Sequence, residues 1–214
     1  MKGYPNDLYI LAFDHRGTLT KGLLGVEGRQ PSEEEVARVS SMKDIIFDGF
    51  LEASSKGIEG GDPAILVDET FGLQVQNRAK DMGIKLAAPV EKSGQKIFDF
   101  EYGDNFGEKI KEVNADFVKI LVRWNPDDDS ETRQIQGERI KTLSDWLDEN
   151  ERKFLLEFLV PASDEQLASV DGEQARYDSE IRPKLAVQVV EEMRERGADP
   201  DIWKIEGLDT VEDN

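Results

Sequence analysis

The chain has 214 residues, with 46 acidic against 27 basic side chains and a formal net charge of -19. A surface so acidic repels nucleic acid and anionic membranes, and the length suits one core, so a single domain over residues 1–214 is expected. The absence of cysteine and the presence of one histidine exclude disulfides, thiolate metal sites, a cysteine nucleophile and a histidine-rich metal centre.

Taken in chain order, apolar runs that end in an ionisable residue alternate with stretches of helical periodicity. The first strand is predicted over Leu8–Asp14, followed by a Gly-rich loop over Thr18–Gln30. Ser32, with an acid three residues on, forms a capping-box signal for a helix through Val36, Val39, Ile45, Ile46 and Phe50 to Gly57. Gly60–Pro63 reads as a turn into a second strand, Ala64–Asp68, and Phe71–Met82 as the next helix. A third strand over Lys85–Glu91, a polar segment over Lys92–Asp104 and a helix over Phe106–Val113 come next. The fourth strand is Phe117–Arg123, followed by an acidic loop and a helix from about Glu131 to Asn150. A fifth strand at Phe154–Pro161, a loop to Asp178 that could hold a short helix, a helix over Arg182–Arg196 and a sixth strand over Ile202–Leu208 complete the chain.

Apolar strands alternating with helices predict a parallel sheet buried on both faces. Six βα units fit either an open doubly wound sheet or the first three-quarters of an eightfold barrel, which takes about 250 residues. No Gly-x-Gly-x-x-Gly and no P-loop follows a strand, which counts against nucleotide-binding open folds. Period-two alternation then gathers Asp14, Asp68, Glu91, Lys119, Glu157 and Lys204 at one end of the strands, where chemistry collects in such folds. Two lysines among four acids suit a Schiff-base amine with a carboxylate to shuttle its protons. The same pattern also reads as buried structural salt bridges, and an all-carboxylate magnesium site is a third reading. Trp124, Trp146 and Trp203 read as packing residues, and Asp127–Asp129 as a solvated loop rather than a metal site.

At these residues the chain resembles the class I aldolase-like family of myo-inositol catabolism, which acts on 2-deoxy-5-keto-gluconate 6-phosphate. The segments that carry the resemblance are ILAFDHRG at Ile10–Gly17, LVDETFG at Leu66–Gly72, APVEKSGQ at Ala88–Gln95 and FVKILVRWNP at Phe117–Pro126. FLLEFLVPA at Phe154–Ala162, EIRP at Glu180–Pro183 and WKIEGL at Trp203–Leu208 complete them. More distantly, the pattern is similar to tagatose-bisphosphate aldolases, eightfold barrels that use a lysine imine. The resemblance implies Lys204 as the Schiff-base lysine, Glu157 as acid/base and Lys119 as the second lysine beside the imine. It implies substrate binding by Asp14 and Arg16, and Asp68, Glu91 and Arg123 are expected to join them.

A (β/α)8 TIM-barrel type is therefore expected, truncated after the sixth strand, with phosphate-binding residues beyond position 214. The implied reaction is cleavage of a phosphorylated keto sugar acid to dihydroxyacetone phosphate and malonate semialdehyde, with no metal and no organic cofactor. The alternatives are an aldolase on a tagatose- or sulfofructose-type sugar phosphate and a non-catalytic sugar-phosphate-binding or regulatory module. Exposed strand edges lead to an expectation of self-association into a homo-oligomer, and the family suggests a sugar-kinase fusion or partner. A cytoplasmic location is expected, since no basic-plus-apolar leader and no apolar run of about 20 residues is present.

Overall fold

A computed structural model describes residues 2–57 and 60–207. Leu208, the end of the predicted sixth strand, and the terminal Asp209–Asn214 lie outside the described residues. The strands are β1 (Asp7–Ala12), β2 (Gly61–Leu66), β3 (Lys85–Pro89), β4 (Phe117–Arg123), β5 (Lys153–Leu159) and β6 (Ile202–Lys204). The helices are α1 (Gly17–Leu24), α2 (Glu33–Gly57), α3 (Glu69–Asp81), α4 (Phe106–Val113), α5 (Ser130–Glu149), α6 (Asp164–Ser169), α7 (Gln174–Arg176) and α8 (Arg182–Glu195). A π turn over Tyr177–Ile181 leads into α8.

The six strands are hydrogen-bonded in sequence order, β1 to β6, and β1–β2, β2–β3, β3–β4 and β5–β6 pair in parallel. An open doubly wound sheet reverses its order at a switch point, whereas successive strands of a (β/α)8 barrel are neighbours. The fold is α/β of the TIM-barrel type.

The chain divides into two compact units. One comprises Gly3–Gly94 and Glu101–Lys119, and the other has its described residues among Met1–Lys2, Gln95–Phe100 and Ile120–Asn214. In the first unit, Ile65, Val67, Leu86 and Ala88 pack with Phe47, Phe50, Val75 and Ala79 of α2 and α3. The alternate strand residues Ala64, Leu66 and Ala87 are also buried, so both faces of this sheet are covered. Gly72 lets α3 lie close on β2, because a Cβ there would collide with Val67.

The first unit begins a strand pair with a carboxylate latch. Asp116, just before β4, accepts from the backbone N–H of Leu86 and from Lys85 Nζ on β3, both at 2.9 Å. The second unit repeats the device. There Asp201, just before β6, accepts from Phe154 N at 2.9 Å and from Lys153 Nζ at 3.0 Å on β5.

The backbone corrects several expectations. The strands stop earlier than their apolar runs, which leaves Asp14, Asp68 and Glu206 just past the ends of β1, β2 and β6. The Gly-rich segment after β1 holds α1, because Gly25, at φ 64°, terminates a helix with its N–H on Lys21 O and is not simply loop filler. Gly61–Pro63 belong to β2 rather than to a turn, since the Tyr9 ring and Asp7 O fill the space a Cβ at Gly61 would need. The buried stripe of α2 is Val39, Lys43, Phe47 and Phe50, whereas Ile45 is 70% exposed. Ser32 and Glu35 do form the reciprocal cap, and α4 and β4 have their predicted bounds.

Candidate active site

Past the ends of β1 and β3 and around Lys119 of β4, the first unit assembles a buried network of charges. Phe13 N donates to Leu66 O, which extends the ladder to Phe13, the residue before Asp14. Lys119, 1% exposed, points from β4 and donates to Asp14 Oδ2 at 2.7 Å and to Glu91 Oε1 at 3.1 Å. Arg16 wraps Glu91, with Nη1 on its carbonyl oxygen and Nη2 on Oε1, both at 2.9 Å. Asp14, Arg16, Glu91 and Lys119 are thus brought together, four of the residues expected from the sequence.

The environment of Glu91 is unusual. Oε1 takes both cations while Oε2 is buried without a hydrogen-bond partner. Burial pushes its carboxyl above the usual range, against the pull of Lys119 and Arg16. An unpaired buried carboxylate oxygen is costly, so this atom is the one in the network most in need of a donor.

Asp68 takes a different position. It caps α3, accepting from Phe71 N at 2.9 Å, and its other oxygen pairs with Lys43. Both side chains are 1% exposed, so Asp68 is enclosed by its own helix and α2. Lys43 Nζ also donates to Phe13 O at 2.7 Å and His15 O at 3.1 Å, the carbonyls that flank Asp14. Burial pushes the Lys43 amine down while Asp68 opposes the shift. Lys43 was missed by sequence reasoning, and its spacing from Val39 and Phe47 on α2 was the available signal.

The second unit holds Lys204 and Glu157. These are register partners on β6 and β5, and Lys204 Nζ donates directly to Glu157 Oε1. The Lys204 side chain is 36% exposed and Glu157 13%, so the lysine is partly open to solvent while its carboxylate partner is largely covered. Phe158 and Trp203, the alternate residues, meet edge to face. Arg123 donates to Gln95 O at 3.0 Å, and the buried Gln136 bonds Arg123 O and Phe98 N, fastening the segment that follows β3. The Asp127–Asp129 run makes turns and caps, with Asp128 accepting from Asn125 N and Asp129 from Thr132 N. Among the described residues, no three His, Asp or Glu side chains are grouped to hold a metal ion.

A family model described as an uncharacterised protein conserved in bacteria (DUF2090) matches residues 2–213. The chain belongs to this family. Curated relatives include the tagatose 1,6-diphosphate aldolases of Lactococcus lactis, 24% identical over 201 residues, and of Streptococcus pneumoniae serotype 4, also 24%. The tagatose 1,6-diphosphate aldolase 2 of Enterococcus faecalis is 25% identical over 202 residues. Each alignment covers 92% of the DUF2090 chain, which spans about half of the length of these relatives, 55–56%. Among solved structures, Cgl0159 of Corynebacterium glutamicum matches with a TM-score of 0.51 at 16% identity, over 92% of this chain and 60% of its own, a likeness of fold.

Proposed function

We propose that this protein is a lysine-dependent aldolase acting on a phosphorylated sugar, with Lys204 as the imine-forming amine and Glu157 as its acid/base. The observation that carries this reading is the contact between the two in register, with the lysine side chain partly exposed and the carboxylate bonded to its amine. An amine must shed a proton before it adds to a carbonyl, and a bonded carboxylate can take it.

In the proposed cycle, Lys204 Nζ adds to the substrate ketone, and Glu157 moves the protons that expel water from the carbinolamine. As a base takes the proton of the hydroxyl on the departing carbon, a role Glu157 can fill, the iminium draws the electrons of the breaking C–C bond, releasing an aldehyde and leaving an enamine. Protonation of the enamine carbon and hydrolysis of the imine return the free amine and the ketone product. The substrate favoured by the resemblance is 2-deoxy-5-keto-gluconate 6-phosphate, cleaved to malonate semialdehyde and dihydroxyacetone phosphate. A tagatose-type sugar bisphosphate is the second reading, favoured by the names of the curated relatives. For the network of the first unit, Asp14 and Arg16 are proposed as substrate-binding and Lys119 as the second lysine on the strength of the resemblance, and in the second unit Arg123 holds the segment after β3.

The test is to incubate the protein with dihydroxyacetone phosphate or either ketose, reduce with borohydride and map the adduct by mass spectrometry. Lys204→Ala should abolish the adduct, and Lys119→Ala should slow its formation. An adduct on Lys119 would reverse their roles. Full cleavage by Lys204→Ala would remove the imine mechanism, and tight sugar-phosphate binding with no adduct would favour a binding module.

A further inference from the structure

In the second unit, the ends of β5 and β6 are bound to the turn that opens α8 by contacts for which the imine chemistry has no use. Tyr177, fully buried in the π turn, donates its hydroxyl to Val160 O at 2.8 Å. Val160 N donates to Glu206 Oε2 at 3.0 Å. Arg182, 7% exposed, donates from Nε to Asp178 Oδ1 and from Nη2 to Gly207 O, each at 3.2 Å. Its Nη1 lies 3.9 Å from Glu206 Oε2. A π turn inside a helical run is costly and is kept mostly where it aims a side chain, and here it places Tyr177 and Arg182 against the two strand ends.

Glu206 stands two residues past Lys204, so in extended chain the two share a side. Its carboxylate is bonded by Val160 N, with Arg182 3.9 Å away, and released from both it would hang two residues from the amine. We propose that Arg182 is a positioning residue that holds Glu206 away from Lys204, leaving the amine to Glu157. This rests on the reading of Lys204 as the reacting amine. A second carboxylate would favour the ammonium form and withdraw the nucleophile. Glu206 meets Val160 N at the end of β5 and Arg182 on α8, and its charge acts on Tyr177 in the π turn together with those of Arg182 and Asp178. Glu157 faces Lys204 from β5, and Asp127 adds negative charge around Tyr177.

Trace acylation with acetic anhydride, read peptide by peptide across pH, measures how nucleophilic Lys204 is with no substrate present. In Arg182→Gln, labelling of Lys204 near neutral pH should fall about tenfold, the effect of one added carboxylate, and its pH profile should move to the alkaline side. Arg182→Gln combined with Glu206→Gln should restore both, because the competing charge is gone. Glu206→Gln alone keeps an acceptor for Val160 N and should label like the parent, and this variant carries the test if Arg182→Gln does not fold. Unchanged labelling in Arg182→Gln, a loss that Glu206→Gln does not restore, or a strong rise in Glu206→Gln alone would each overturn the proposal. Acylation needs no sugar phosphate, so its outcome is separate from the borohydride test of the aldolase reading.

Discussion

At the scale of single residues, Tyr177 offers a clean pH test. Burial, with Glu206 adding to it, pushes its phenol up to about 12 from an ordinary value near 10. A raised folded value means stability that is fully present below pH ~10 and is lost as pH climbs through about 12. Tyr177→Phe loses the bond to Val160 O and should be less stable at pH 8 by about 1–2 kcal/mol. The gap to the parent should narrow between pH ~10 and ~12 in urea titrations, and a gap that widens there would contradict the assignment. Side-chain alternation was enough to read Asp14, Glu91 and Lys119 as neighbours, because β4 carries Lys119 and the period of β1 and β3 leads into Asp14 and Glu91. Lys43 was not legible, since a lysine on the apolar stripe of a helix reads as a break in the stripe. Only the fold shows that carbonyls at the end of β1 and Asp68 await it.

At the scale of elements, Asp68 and Asp129 both cap helices, at the starts of α3 and α5, yet they are not equivalent. Asp129→Ala removes an exposed cap and should cost about 1 kcal/mol. Asp68→Ala also leaves the Lys43 ammonium buried without its carboxylate, and should cost about 3–5 kcal/mol. Equal losses in denaturant titrations would mean that the Lys43 pair adds little. The order and kind of the strands and longer helices were readable because each is bounded by caps, glycines or prolines and carries a clear period. Helix α1 was not, because Gly17 and Gly22 within it and Gly25 and Gly28 just after it resemble a loop, and the π turn has no signature beyond the EIRP segment that ends it. The match of six strands to a barrel rather than an open sheet needed the pairing itself, since both folds share the same alternation.

For the whole molecule, 19 surplus negative charges repel one another in the folded state. The Debye length falls from about 30 Å at 0.01 M salt to about 3 Å at 1 M, so the melting temperature should rise as sodium chloride is added. A fall would mean that exposed ion pairs such as Lys21–Glu27 and Lys141–Asp145 outweigh the net repulsion. The two carboxylate latches bear on the chain in another way. Asp116 opens the run Asp-Phe-Val-Lys-Ile and Asp201 opens Asp-Ile-Trp-Lys-Ile, so each lysine of interest sits three places after a latch. Glu157 likewise sits three places after Phe154, the residue whose N–H Asp201 holds. The two lysines and Glu157 are thus indexed from the opposite end of the strand, about 10 Å away at ~3.3 Å per residue. Inserting or deleting one residue within such a run, with every side chain of the pair intact, would present Trp203 or Ile205 where the amine belongs. Spacing from the aspartate therefore sets which side chain stands at that place on the strand.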